Sequence, residues 1–326
     1  MLEGPAQAEN LRIATYNAEL SRRGPGQLLR DIVTGKDPQI TAVIKVLSQL
    51  DADVLALTNF DYDYDSVALS ALAEALGQAG TPYPYRFALR PNTGWPTGLD
   101  LDGDGKLGGP RDAQGFGYFS GQGGMAVLSR MPINTEAVRD FSGFLWRDLP
   151  GALLPDGMTL AAQDIQRLST TGHWEVPVLL AEGQTIRLLL WHATPPVFDG
   201  PEDRNGRRNH DEAAFWLHLI DGALAAPAPQ APFVLLGDAN LDPIKGDGLP
   251  AAITALLAHP KLQEVPTAQT ALFAQTGGLR VDYLLPSSQL QITASGVLGS
   301  HEVTDQPTPF MAASRHLPVW ADITLP

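Results

Sequence analysis

The chain has 326 residues, a formal net charge of −14 and no cysteine. The lack of cysteine excludes disulfides and thiolate metal sites. The negative charge disfavours binding to nucleic acid, whose polyanionic backbone is held mainly by Lys and Arg. No stretch is long and apolar enough to predict a transmembrane helix.

The first residues of the chain predict no regular structure. Ala6-Gln7-Ala8 is similar to the end of a signal peptide, but the apolar core that precedes such an end is absent. We expect residues 1–10 to be an expression remnant or a short disordered native N-terminus. We also expect the mature protein to be periplasmic or secreted, with its signal peptide removed.

The remaining residues, 11–326, are predicted to form a single domain rich in strands. Apolar or alternating runs predict strands at residues 11–17, 54–57, 125–128, 174–180, 186–191, 233–236, 281–285, 290–297 and 319–323. Helices are predicted at residues 38–50, 66–79 and 209–224, with Asp37 and Asn209 as caps of the first and third.

Short connections between several predicted strands require antiparallel pairing, because a parallel crossover needs a dozen residues or more. This favours a core of two sheets with helices outside. Residues 91–123 are rich in Gly, Pro and Asp and lack apolar periodicity. A loop of this length is usually functional or disordered, and we expect it to border a cleft.

Polar side chains stand at the ends of five predicted strands. A single polar residue at a strand end is typical of an ordinary turn or cap. A carboxylate beside an apolar strand is nevertheless costly unless it is paired, and ligands collect at the carboxyl ends of strands in α/β sheets. We therefore expect one shared cleft. Its candidate residues are Asn17, Glu19, His192, Asp238, Asn240, Asp282 and His316.

The order N-x-E, H, D-x-N, D, H resembles that of the endonuclease/exonuclease/phosphatase superfamily, which includes deoxyribonuclease I and the apurinic endonucleases. The resemblance extends over residues 11–325, and the runs at 98–105 and 195–206 are similar to exported bacterial members. It implies an α/β (α+β) fold, a four-layer sandwich in which two mainly antiparallel β-sheets lie face to face and are flanked by helices.

The resemblance also implies metal-assisted hydrolysis of a phosphoester. Asp238 would activate the attacking water, and Asn240 would donate to the reaction centre. The pair formed by Asp282 and His316 would assist, since a carboxylate orients an imidazole and stabilises its charged form. His192 would donate to a phosphate oxygen on which charge develops.

The implied metal site departs from the family pattern at two positions. Asn59 stands where a metal-binding Glu is usual, and Arg315 stands where an Asp usually precedes the final His. Asn17, Glu19, Asn59 and Asp61 are the candidate ligands, and their oxygens suit Mg²⁺ or Mn²⁺, with Ca²⁺ as an alternative. We expect weaker metal binding than in typical relatives.

Three interpretations of this departure stay open. Glu19 and Asp61 together hold the ion, or the Arg315 guanidinium binds the phosphate and replaces part of the missing charge. In the third interpretation, the chain is a weakly active or inactive relative.

Asp100, Asp102 and Asp104 alternate with Gly in the long loop and resemble a calcium-binding loop. Arg111 occupies the twelfth position, where such a loop carries a Glu. The alternative is a rigid loop ordered by Asx turns.

The sequence thus predicts a phosphoester hydrolase, a phosphodiesterase acting on small or lipid-like phosphoesters. The alternatives are a DNA or RNA endonuclease and a pseudoenzyme that only binds its ligand. We expect a monomer with a small phosphoester substrate, because the charge of −14 disfavours nucleic acid.

Overall fold

Two β-sheets pack face to face in the computed structural model, which describes residues 10–265, 268–299 and 309–325. The expectation for the N-terminus concerns residues 1–10, of which residues 1–9 lie outside the described residues. The strands are β1 Leu11–Leu20, β2 Val54–Phe60, β3 Tyr85–Phe87, β4 Gly124–Ser129, β5 Arg139–Asp140, β6 Gly172–Leu179, β7 Thr185–His192, β8 Phe233–Asp238, β9 Ala271–Phe273, β10 Gly277–Leu279, β11 Asp282–Pro286, β12 Gln291–Val297 and β13 Val319–Thr324.

Helices cover the outer faces of both sheets. They are α1 Gln27–Thr34, α2 Pro38–Leu50, α3 Val67–Gln78, α4 Leu160–Ile165, α5 Arg204–Ile220, α6 Ala251–Leu257 and α7 Pro309–Ala313. Short 3₁₀ turns lie at Tyr64–Ser66, Pro110–Asp112, Thr135–Ala137, Trp146–Asp148 and Ala181–Gly183. Among the described residues, no helix combines the length and hydropathy needed to cross a bilayer.

Each of the two large sheets contains one parallel pair of strands. The first has the order β12-β13-β1-β2-β4-β3 and the second β11-β8-β7-β6-β5. Strand β1 pairs in parallel with β2, and β7 with β8, whereas the other neighbours are antiparallel. Helices α1, α2, α3 and α7 pack with the first sheet, and α5 and α6 with the second. The predicted four-layer sandwich is confirmed.

Local sequence predicts the start of α2 correctly but not the start of α5. The Asp37 side chain accepts a hydrogen bond from the Ile40 N–H at 2.9 Å, as its prediction as the N-cap of α2 requires. The cap predicted at Asn209 is wrong, because α5 begins at Arg204 and buries Asn209 completely. A strongly polar helix start concealed this boundary, since the apolar positions of α5 begin only near its middle.

Helix α5 turns a row of polar side chains toward the second sheet and its loops. The row consists of Arg208, Asn209, Asp211 and Glu212, which are between 0 % and 6 % exposed. Their backbone partners are Gln114, Leu153, Arg167, Leu168, Ser169, Thr170, Thr194 and Ala239. Buried polar groups need such partners, so the helix fixes the loops that it touches.

His173 on β6 completes this polar packing as a neutral imidazole. Its Nε2 lies 2.9 Å from the Glu212 carbonyl oxygen, and its Nδ1 lies 2.5 Å from Ser169 Oγ. A carbonyl only accepts, so Nε2 carries the proton and Nδ1 accepts from the hydroxyl. Burial lowers the pKa of His173 to about 4.

The neutral state of His173 predicts a loss of stability in acid. Between pH 6.5 and 4 the unfolded chain binds a proton at His173 that the native state does not bind, which costs roughly 3 kcal/mol over this interval. We expect the stability advantage of the wild type over His173→Gln, measured by urea unfolding, to shrink as the pH falls through this range. A difference that stays constant would contradict the assignment.

Candidate active site

A buried polar cluster lies where the two sheets meet at the ends of their central strands. Asp238 ends β8, and Asp282 opens β11 directly opposite it in the antiparallel register. Asn17 comes from β1 of the other sheet, and His316 precedes β13. These four side chains are 3 % exposed or less. The fold therefore brings together residues from four separate parts of the sequence.

Short contacts connect the members of this cluster. Asn17 Nδ2 donates to Asp238 Oδ2 at 2.7 Å and lies 3.4 Å from His316 Nε2. His316 Nδ1 lies 2.8 Å from Asp282 Oδ2. A carboxylate at Nδ1 orients the ring and leaves Nε2 directed at Asn17 and the neighbouring Asp238.

Charge is concentrated in this cluster. Burial by itself lowers the pKa of His316, but the carboxylates of Asp282 and Asp238 outweigh it and raise the pKa to about 9. Burial and the Asp282 charge raise the pKa of Asp238, while hydrogen bonds from Asn17 and Asn240 oppose the increase. The raised pKa of His316 favours its charged form beside the two buried carboxyl groups.

The turn after β8 holds Asn240 against Asp238. Asn240 adopts a left-handed conformation with φ of 50°. Its N–H donates to Asp238 Oδ1 at 2.8 Å, and its side-chain amide donates to the Ala193 carbonyl at 2.9 Å. Asn tolerates this conformation better than most residues, which explains its use in the turn.

Asn209 ties the ends of β7 and β8 together from the helix side. Its Nδ2 donates to the carbonyls of Thr194 at 2.6 Å and Ala239 at 2.7 Å. These carbonyls belong to the segments that follow His192 and Asp238. Asn209 therefore fixes the separation of two predicted catalytic residues, a role that the sequence analysis missed.

Ser314 anchors His316 in a similar way. Its hydroxyl donates to the Asn17 carbonyl at 2.7 Å and accepts from the His316 N–H at 3.0 Å. Ser314 is not among the site residues predicted from the sequence. A Ser two positions before a candidate catalytic His is a local signal, because Ser commonly bonds the backbone two residues further on.

His192 lies beside this cluster as a neutral side chain. Its Nε2 is 3.5 Å from Asp238 Oδ2. Burial and the neighbouring His316 lower the pKa of His192 to about 3. Its Nδ1 is buried and makes no hydrogen bond of good geometry among the described residues, although the Gly123 backbone lies near enough to the ring to oppose the lowering of its pKa. This nitrogen is therefore free for a contact with a ligand.

Two further strand ends carry bulges that aim polar side chains out of the first sheet. The ladder shifts register between Asn17 and Leu20 and between Thr58 and Phe60. Glu19 and Asn59 lie in these bulges with φ of 49° and 56°. Such strain in non-glycine residues clusters at functional sites.

The predicted metal ligands differ in their hydrogen-bond partners. Glu19 accepts hydrogen bonds from Arg315, while the Asn59 amide has no partner among the described residues. Asp61 is buried, and its two oxygens accept the N–H groups of Arg22 at 2.7 Å and Gly123 at 2.8 Å. Through these bonds Asp61 holds the backbone at Arg22 and Gly123 in place. Its role as a ligand stays a prediction.

A cleft of about 950 Å³ opens beside His192 and Asn59. The exposed rings of Phe116 and Phe198 border it, at 54 % and 78 % exposure. Its acidic lining residues outnumber its basic ones. They are Asp100, Asp102, Asp156, Asp199 and Glu202 against Arg111, Arg204 and Arg208.

The Asp-rich loop forms one rim of this cleft. Ligand atoms of Asp100, Asp102 and Asp104 lie within 4.8 Å of one another, and all three residues are exposed. The Asp100 carboxylate accepts the N–H groups of Gly103 at 2.7 Å and Gly105 at 2.8 Å. These bonds form the predicted Asx turns. Calcium binding at this loop stays a prediction.

The two-sheet sandwich and its buried cluster of Asp238, Asp282 and His316, with His192 beside it, are the features to compare with known proteins. Residues 14–316 match the model of the Endonuclease/Exonuclease/phosphatase family, and the chain belongs to this family. The predicted resemblance is confirmed. Hydrolases of this superfamily act on phosphoesters and generally use divalent metal ions. A search of curated sequences finds no significant match.

Solved structures share the fold at low sequence identity. An endonuclease/exonuclease/phosphatase from Beutenbergia cavernae DSM 12333 is 18% identical with a TM-score of 0.59, over 97% of this chain and 72% of that chain. A mannosyl-6-phosphatase from Bacteroides thetaiotaomicron VPI-5482 is 14% identical with a TM-score of 0.53, over 97% and 100%. The human Nocturnin catalytic domain with bound sulfate is 14% identical with a TM-score of 0.53, over 97% and 95%.

Replacement of Asn209 tests its role in fixing the two strand ends. Asn209→Ala leaves two buried carbonyls without donors, and we expect a loss of about 2 kcal/mol or more in the free energy of unfolding. Asn209→Asp keeps the shape but places a carboxylate against the same carbonyls, so it should destabilise at least as much. Urea unfolding monitored by tryptophan fluorescence measures both. If Asn209→Asp kept wild-type stability, the assigned donor role would be wrong.

Proposed function

We propose that this protein is a phosphodiesterase that hydrolyses small or lipid-like phosphoesters at the buried cluster of Asp238 and His316. The observation that carries the proposal is the continuous set of contacts from Asp282 through His316 and Asn17 to Asp238. It combines a carboxylate base with an imidazolium, and both lie behind His192, the side chain that connects the cluster to the cleft. The family membership supports phosphoester hydrolysis as the reaction class.

Asp238 is proposed to accept the proton of the attacking water. Its raised pKa suits this role, since a base is most efficient when its pKa lies near the operating pH. Asn17 and Asn240 hold the carboxylate by donating to it, at 2.7 Å and 3.3 Å to Oδ2. The base is therefore oriented before the substrate arrives.

His316 and His192 are proposed to stabilise the negative charge that develops on the phosphoryl oxygens. His316 is a cation held by Asp282, and its Nε2–H is a charge-assisted donor. Neutral His192 has one N–H and lines the cleft, and it supplies a second donor to the phosphate when that proton is on the nitrogen that faces the cleft. Preorganised donors of this kind provide a large part of the rate enhancement in many enzymes.

Glu19 and Asn59, with Asn17 beside them, are the residues proposed to hold a divalent cation. Their oxygens are hard donors, the Asn59 amide has no protein partner among the described residues, and Arg315 lowers the pKa of Glu19 against the effect of burial. These residues fit Mg²⁺ or Mn²⁺ by the chemistry of the donors. When bound, such an ion would supply positive charge to the phosphoryl oxygens.

The cleft favours a small or lipid-like substrate over nucleic acid. Its volume of about 950 Å³ exceeds the needs of a phosphate alone, and exposed Phe116 and Phe198 offer apolar contacts. The excess of acidic lining residues would repel a DNA or RNA backbone. We propose a small phosphoester as the ligand, taken up by a monomer.

Turnover by a His316→Ala variant tests the proposed site. The variant loses the imidazolium, and we expect kcat for bis-p-nitrophenyl phosphate with Mn²⁺ or Mg²⁺ to fall by about 10²-fold or more. The release of p-nitrophenolate measures the rates of both proteins. Parallel assays with p-nitrophenyl phosphate and plasmid DNA separate the diesterase from a monoesterase and a nuclease.

The matched control is Glu74→Ala, which changes an exposed residue of α3 outside the site. It should retain wild-type kcat. Equal rates for the wild type and His316→Ala would refute the proposed site, and plasmid nicking without diester turnover would favour the nuclease.

A further inference from the structure

The Glu19 carboxylate is held by Arg315 through both of its oxygens. The Arg315 backbone N–H donates to Oε2 at 2.8 Å, and its Nε donates to Oε1 at 2.7 Å. The Nη2 group also donates to Oε1. Both guanidinium donors share Oε1, and charge-assisted hydrogen bonds of this kind are stronger than neutral ones. Arg315 thus neutralises Glu19, the charged residue of the proposed cation site formed with Asn59 and Asn17.

Neighbouring contacts fix the backbone on both sides of this pair. Glu19 lies in the β1 bulge, where its N–H donates to Asn17 Oδ1 at 3.1 Å. Ser314, next to Arg315, donates to the Asn17 carbonyl at 2.7 Å. Because both backbones are tied to Asn17, the two side chains meet as a consequence of the fold. The pair is therefore more than a chance contact between long surface side chains.

The two side chains differ in exposure, and this decides which of them can move. The Glu19 side chain is 18% exposed, whereas the Arg315 side chain is 60% exposed. Arg315 can rotate into solvent while Glu19 stays at the bulge. Another cation can therefore replace the guanidinium as the ion-pair partner of the Glu19 carboxylate.

We propose that the Arg315 guanidinium is the ion-pair partner of Glu19 when no metal is bound. A divalent ion can then bind the Glu19 carboxylate only by displacing the guanidinium. The inference rests on the proposed function for the assignment of Glu19 as a metal ligand. It makes Arg315 a determinant of metal affinity. Since a partly exposed ion pair contributes modestly, the competition weakens metal binding by about five- to tenfold.

Calorimetric titration with MnCl₂ alone, without substrate, tests this competition. Arg315→Gln removes the charge, keeps a polar side chain and leaves the backbone N–H in place. We expect this variant to bind Mn²⁺ about five- to tenfold more tightly than the wild type. Glu19→Gln combined with Arg315→Gln should lose this gain, since the carboxylate for which the cations compete is gone.

Arg86→Gln is the matched control, because it removes an exposed Arg on β3 at the far edge of the first sheet. It should bind Mn²⁺ like the wild type. The proposal is overturned if Arg315→Gln binds Mn²⁺ no more tightly than the wild type, or if Arg86→Gln gains as much. Persistence of the gain in the double variant would also overturn it.

The titration measures no turnover, so it separates this inference from the proposed reaction. A failure of the His316→Ala comparison would refute the catalytic cluster and leave a gain in Mn²⁺ affinity at Glu19 intact. Wild-type turnover combined with unchanged affinity in Arg315→Gln would refute the competition alone.

Discussion

The hydrogen bond from Asn17 to Asp238 joins the two sheets at the point on which the whole site depends. Asn17 belongs to β1 and Asp238 to β8, each a central strand with one parallel neighbour. Because the bond is 2.7 Å long and fully buried, it fixes how the strand ends of one sheet stand against those of the other. His316 Nε2 lies 3.4 Å from the same amide nitrogen, so the packing of the sheets sets the spacing of the proposed catalytic groups.

The electrostatics of the cluster follow from this packing. Two carboxylates and an imidazolium are buried together, an arrangement that is expensive to desolvate and a poor source of stability. Amide donors from Asn17 and Asn240 offset part of that cost at Asp238. Clusters of this kind with shifted pKa values are common at catalytic sites, which supports the proposed role.

Local sequence predicted the positions of the longer strands, the N-cap of α2 and the two-sheet core, because these depend on periodicity and turn chemistry within a few residues. It could not predict the bulges that turn Glu19 and Asn59 out of the ladder, since a bulge is defined by the neighbouring strand. Nor could it predict the pairing of Arg315 with Glu19, which are separated by 296 residues. Local sequence predicts a helix cap at Asn209. Its actual role could not be predicted, because its partners, Thr194 and Ala239, are brought to it by tertiary packing.

A crystal structure with bound orthovanadate would test most directly whether the cluster around Asp238 and His316 is the reaction centre. The account predicts vanadate oxygens within hydrogen-bond distance of His192, Asn240 and His316, with one oxygen facing the Asp238 carboxylate. Vanadate bound elsewhere in the cleft, with these side chains still engaged only with one another, would contradict it.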